Sequence, residues 1–171
     1  MTEAEFSPGF LYIWHLATME AQSASSAEIT PDHFVLALCS FGEMPVDVLQ
    51  DRLEGIRLQQ EAEDVRGVFR FCGLALTRFW HRLRTQLGES GERPLDGVWH
   101  RSEEAKTACK LAAEFARERG RDCPEAIHLL WALARQQAGA WAMLLNADGF
   151  SLKELEAIAA KTAADDGSLQ S

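Results

Sequence analysis

The chain has 171 residues and a mass of 19.0 kDa, which fits one domain or two very small ones. Its hydrophobic (47%), charged (25%) and aromatic (9%) fractions are those of a folded globular protein and exclude wholesale disorder. No apolar run approaches the roughly 18 residues of a membrane span. MTEAEFSPGF has no basic stretch ahead of an apolar one, so no secretory signal is read. A soluble, cytoplasmic protein is expected.

Net charge is −9, unevenly spread. Residues 1–55 carry nine acids and one base, Arg52. Residues 56–101 carry eight Arg against six acids, and residues 102–171 eight bases against eleven acids. The acidic first third speaks against broad nucleic-acid binding, because attraction to phosphate is the largest sequence-independent term there. Cys39, Cys72, Cys109 and Cys123 form no CxxC pair, so the reading is buried free thiols in a reducing compartment, with a disulfide or zinc site as the lesser alternative.

Nearly every segment reads as helix. Ser7-Pro8 is a helix start, followed by Leu11, Trp14, Ala17 and Ala21 at helical spacing, and SASSAE ends the element. Thr30-Pro31-Asp32 starts a second helix with Phe34, Ala37, Leu38 and Phe41 on its apolar face and Gly42 at its end. Pro45 opens a short helix bearing Val48 and Leu49. In the connector, Val68, Cys72, Ala75, Phe79, Leu83 and Leu87 predict one amphipathic helix from about Gly67 to Leu87, before the loop GESGERP. Ser102-Glu103-Glu104 then opens a helix with Ala105, Ala108, Cys109, Ala112, Phe115 and Ala116 inward and Gly120 as its C-cap. Pro124-Glu125 opens the next, with Ile127, Leu130, Trp131 and Ala134 inward. Trp141, Leu144 and Leu145 sit on a short helix, and Asn146 to Gly149 turns. Ser151 and Glu154 form a capping box for a last helix to about Ala160, and KTAADDGSLQS is expected to fray.

The second half repeats the first at an offset of 95. Leu16, Ala17, Ala21, His33, Ala37, Leu38 and Leu49 meet Leu111, Ala112, Ala116, His128, Ala132, Leu133 and Leu144 without a gap. Two copies of a four-helix unit would each leave an apolar face open, and packing those faces together closes one core. The expected architecture is all-α: a single domain over 1–162, with repeat 1 at about 6–60, a connector with an Arg-rich helix at 61–100, repeat 2 at about 101–162, and a flexible tail over 163–171.

The repeated residues carry a resemblance. Phe6-Ser7, Leu16-Ala17, Ala21 and the run Ile29-Thr30-Pro31-Asp32-His33-Phe34-Val35-Leu36-Ala37-Leu38 resemble the first Clp N-terminal repeat. Ser102 through Ala116 and His128-Leu129-Leu130-Trp131-Ala132-Leu133 resemble the second. The resemblance implies an eight-helix, pseudo-twofold domain like that at the front of Clp/Hsp100 AAA+ unfoldases, where it docks adaptors, clients or degradation-marked proteins and catalyses nothing. No G-x-x-x-x-G-K-[ST] occurs, so it implies a version without an ATPase module. In some members of this family a Ser or Thr at the first helix start meets the phosphate of phosphoarginine, and the acid before the His meets the guanidinium. Ser7, Asp32 and His33 match those positions in repeat 1. Ser102 matches in repeat 2, where Ile127 replaces the acid. The Arg-rich connector departs from the common pattern.

The remaining residues are read from chemistry. His33 and His128 are expected to be helix-start histidines bonding backbone, since neither stands in a cluster of ligand spacing. The five tryptophans are mostly packing residues, and Trp80 and Trp99 beside the connector are candidate partner anchors. Arg78, His81, Arg82 and Arg84 read as a solvated face, then as pairing with the acidic first repeat, then as a surface for an acidic partner. GxSxG, HExxH and a Gly-rich phosphate loop are absent from the sequence, so no catalytic residue, cofactor or metal is expected. The leading expectation is a protein or peptide partner, bound in a groove rimmed by acids near Asp32, Glu43 and Asp47; an AAA+ unfoldase, an adaptor or a client are the candidates. A helical domain holding a small molecule between the repeats is the alternative. Nucleic acid and membrane are not expected partners.

Overall fold

The computed structural model describes residues 5–51, 54–89, 91 and 93–165. They form nine α-helices: α1 (Pro8–Ser23), α2 (Pro31–Gly42), α3 (Val46–Gln50), α4 (Gly55–Phe71), α5 (Leu76–Leu87), α6 (Glu103–Glu118), α7 (Ala126–Gln136), α8 (Ala140–Ala147) and α9 (Leu152–Asp165). No strand is present among the described residues, and no helix is long and apolar enough to cross a membrane.

The offset of 95 carries each of the first four helices onto one of the last four: α1 onto α6, α2 onto α7, α3 onto α8 and α4 onto α9. It also carries the left-handed turn residues Ser25 and Glu54 onto Gly120 and Gly149. Only α5 has no counterpart. The helix expected over 67–87 is therefore two. Gly67 lies inside α4, the fourth helix of repeat 1, and the chain breaks at Gly73, which takes φ +74°. The spacing of Val68, Cys72, Ala75 and Phe79 runs through that break and concealed it. At the other end, α9 continues past Ala160 to Asp165 because Ala163 is buried; the rest of the expected tail lies outside the described residues.

At the centre, α2 and α7 touch each other. All of α2 except Ser40 is buried, Asp32 and His33 included, so its burial extends well beyond the expected face of Phe34, Ala37, Leu38 and Phe41. Phe34, Leu38, Leu129, Leu130 and Leu133 are 2% exposed or less. On α6 the whole predicted stripe is inside. Elsewhere the predicted face is shifted. The buried residues of α1 include Phe10, Ile13, Ala17 and Ala21, whereas Leu11 stays 52% exposed and Trp14 half-buried. Val48 is exposed while Leu49 is buried, and Trp131 and Leu144 are half-buried.

The repeats interlock reciprocally. Ser102 N–H donates to Ile29 C=O (2.9 Å), and Ser7 N–H donates to Pro124 C=O (3.1 Å), the same bond with the repeats exchanged. Ile29 N–H also donates to His100 C=O at 2.8 Å. Its counterpart cannot form, because Pro124 has no N–H.

Candidate functional site

Ser7 and Ser102 are N-caps, as expected. Ser7 Oγ accepts from Phe10 N–H at 3.1 Å and Ser102 Oγ from Ala105 N–H at 3.2 Å. Both are buried. The Ser7 hydroxyl in turn donates to Glu61 Oε2 at 2.8 Å. Glu61, on α4, is 4% exposed. Its carboxylate also accepts from Gly9 N–H (3.1 Å) and Ala126 N–H (2.9 Å), so it caps α1 and α7 together. The approach needs a glycine: a Cβ on Gly9 would stand 2.3 Å from Glu61 Oε2.

Asp32 is also spent inside the molecule. Its two oxygens accept from Ala140 N–H (3.1 Å) and Trp141 N–H (2.8 Å), capping α8 of the other repeat. Gly139 makes room for it, since a Cβ there would lie 2.7 Å from Asp32 Oδ1. Burial raises the carboxyl pKa of both Asp32 and Glu61, against the lowering effect of the N–H groups they accept from. His33 Nδ1 accepts from Thr30 N–H at 2.9 Å, and His128 Nδ1 from Glu125 N–H at 3.0 Å. Burial lowers the pKa of each imidazole to about 4, with Arg121 and Arg119 adding to the effect at His128. The four residues that the resemblance implied as ligand contacts thus cap this chain's own helices, and the acid-rimmed groove expected around Asp32 has its central carboxylate turned inward.

The open surface lies elsewhere. Leu11 and Trp14, which α1 does not fully bury, line a groove of about 1130 Å³ with Phe6 and Pro8. Arg101, in the segment before α6, stacks on Trp14 with its guanidinium 4.0 Å from the ring centroid. Arg57, in the first turn of α4, reaches across to the turn before α7, where its Nη2 stands 3.2 Å from Cys123 Sγ and 3.7 Å from Glu125 Oε1. Glu5, Glu54 and Asp122 complete the rim. Cys72 and Cys123 are half-exposed rather than buried; Cys39 and Cys109 are buried, and all four are free thiols.

The connector candidates fold back onto the chain. Trp80 Nε1 donates to Glu20 Oε1 at 3.2 Å, and Arg84 pairs with Glu20 Oε2 at 2.8 Å while lying 5.0 Å from the Trp80 ring. Arg82 pairs with Asp148. Trp99 Nε1 donates to Ser26 C=O at 2.8 Å. Of the arginines expected on this surface, only Arg78 remains without a polar partner among the described residues.

Solved structures show the same fold. The Hsp104 N-terminal domain from Candida albicans superposes with a TM-score of 0.65 at 16% identity, covering 91% of this chain and 89% of that one. A protein solved in an investigation of a malarial protein secretion system gives 0.65 at 15% identity, covering 96% and 97%. The N-terminal domain of the chaperone ClpD from Arabidopsis thaliana gives 0.57 at 18%, covering 94% and 96%. The chain therefore has the all-α fold of Clp/Hsp100 N-terminal domains. No protein-family model and no curated protein matches its sequence.

Two features are not read from local spacing. Glu61 lies in the expected connector, in the polar run QQEAED, where nothing local marks it as buried. The groove exists because α1 carries two apolar faces, and Phe10 and Ile13, at the same spacing as Leu11 and Trp14, are the sequence signal of the second.

Proposed function

We propose that this chain is a non-enzymatic protein-interaction module of a Clp-type AAA+ unfoldase system. It takes extended apolar segments of client or adaptor proteins in the groove beside α1. One observation carries the reading: a folded helix leaves Leu11 exposed and Trp14 only half-buried, beside Arg57 and Arg101. Large apolar side chains on an otherwise well-packed helix are the usual mark of a contact surface, and the fold is one found in Hsp104 and ClpD N-terminal domains. The other class, a small molecule between the repeats, is less favoured, because the contact of α2 with α7 fills that space with fully buried side chains.

The test is fluorescence anisotropy with labelled, reduced and carboxymethylated α-lactalbumin, a permanently unfolded protein. Saturable binding is expected. Leu11→Glu is expected to weaken it about tenfold or more, the scale of losing one buried leucine contact, and Arg101→Glu to weaken it as well. Absence of binding, or binding by both variants as tight as by the native chain, overturns the proposal.

A further inference from the structure

We propose that the elbow between α4 and α5 is a second docking surface, fitted to an acidic segment of a partner protein that carries one large apolar side chain. The elbow is the part of the fold that the duplication does not account for. It is held in one shape. Gly73 N–H donates to Arg70 C=O (3.0 Å) and Leu74 N–H to Phe69 C=O (2.9 Å), the paired bonds that close a helix on a left-handed residue. Beyond it, α5 is clamped by Glu20 and Asp148 through the contacts of Trp80, Arg84 and Arg82. A surface fixed before binding loses little freedom on binding.

Three open cavities, of about 260, 290 and 310 Å³, meet on Leu74. The first has Leu145, Phe150 and Leu155 in its wall and is of a size for one aromatic or leucine side chain. Phe71, between Arg70 and Cys72 in the chain, is 74% exposed. Four arginines surround this apolar centre. Arg66 donates to the C=O groups of Gly42 and Met44 at 2.6 and 3.1 Å, and Arg82 pairs with Asp148. Arg70 lines the third cavity and Arg78 the second, on the two sides of Leu74, and neither pairs with a carboxylate among the described residues. The acids on the surface are Glu43, Asp148 and Glu154, and Asp148 is already engaged. In a chain of net charge −9, two arginines left without a carboxylate on either side of an apolar centre set the complement: carboxylates flanking one large apolar residue.

This surface is separate from the α1 groove. Arg57 and Cys72 mark the opposite ends of α4, roughly 22 Å apart at 1.5 Å per residue, so the two surfaces can be tested independently. The probe is a fluorescein-labelled nine-residue peptide of Asp and Glu around a single Phe, titrated with the full chain at low salt. Saturable binding that weakens with added salt is expected. Arg70→Glu and Arg78→Glu, both at exposed positions, are each expected to weaken it about fivefold, the scale of one exposed charge pair. A peptide with Ser for Phe is expected not to bind, and Leu11→Glu is expected to leave binding unchanged. No binding at low salt, or binding by both arginine variants as tight as by the native chain, overturns the proposal. So does a dimer seen by sedimentation that Arg78→Glu dissolves while the peptide fails to bind, because the surface then belongs to a second copy of the chain.

Discussion

His33 and His128 stand three residues after their N-caps, where a capping box ordinarily holds Glu or Gln. Each works only with Nδ1 unprotonated, because that nitrogen accepts a backbone N–H. The folded pKa of about 4 lies below the ordinary 6.5. Between the two values the unfolded chain binds a proton that the folded chain refuses, so stability is complete above pH 6.5 and falls as the pH drops toward 4. The full shift corresponds to about 3 kcal/mol per histidine. Asp32 and Glu61 act in the other sense: because burial raises their values, the part of stability that comes from this shift is present below the ordinary carboxylate range and lost as pH rises through the raised pKa, while the bonds they accept from backbone N–H groups remain. His33→Gln keeps an acceptor for Thr30 N–H and removes one titration. Urea midpoints at pH 7.0 and 4.5 are expected to differ less for this variant than for the native chain; equal differences would show that His33 titrates normally when folded. The sequence placed both histidines at backbone, since a helix-start position is read from local spacing. It could not show that Ser7 and Asp32 point inward, because their partners lie 54 and 108 or more residues away.

At the scale of elements, the two repeats begin their helices differently, and proline explains how. In repeat 1, Pro31 opens α2 and Pro45 precedes α3. Their counterparts in repeat 2 are Ala126 and Ala140, whose N–H groups need acceptors, and Glu61 and Asp32 supply them. Pro31 and Pro45 offer no N–H to the counterparts of these acids. Glu156 pairs instead with Arg135 at 2.9 Å, and Ile127 is apolar and buried. Glu61→Ala is expected to destabilise the protein by about 3 kcal/mol, since it strips a charged acceptor from two buried N–H groups and a hydroxyl. Adding Ala126→Pro, which removes one of those donors, is expected to restore about 1 kcal/mol. Chemical denaturation of the single and double variants decides; a further loss in the double variant would mean that the N–H of Ala126 is not what Glu61 satisfies. The mismatch of Pro31 with Ala126 was visible in the aligned repeats, and it was the available sign that an acid had to come from elsewhere. The helix pattern itself was legible because caps, prolines and 3.6-residue spacing are local. The α4–α5 break was not, because an apolar spacing that continues across a turn looks like one helix.

Across the whole molecule, the bonds from Ser102 to Ile29 and from Ser7 to Pro124 tie each repeat to the start of the other. One cooperative unfolding transition is therefore expected. Cutting the chain within the connector loop gives pieces 1–91 and 92–171, and these are expected to behave unequally. The first keeps its proline-opened helices and retains partial helicity. The second lacks the acids that cap α7 and α8 and is expected to show little helix by circular dichroism until the first is added. A well-folded second piece on its own would refute this.

The caps lent by Glu61 and Asp32 also set a direction in time. A ribosome delivers repeat 1 first, so both carboxylates are already on the emerged chain when Ala126, Ala140 and Trp141 appear. The later half then closes onto an existing template, and each of its helix starts is met by a partner made earlier. With the halves exchanged in the gene, α7 and α8 would leave the ribosome before their acceptors existed and wait with exposed N–H groups.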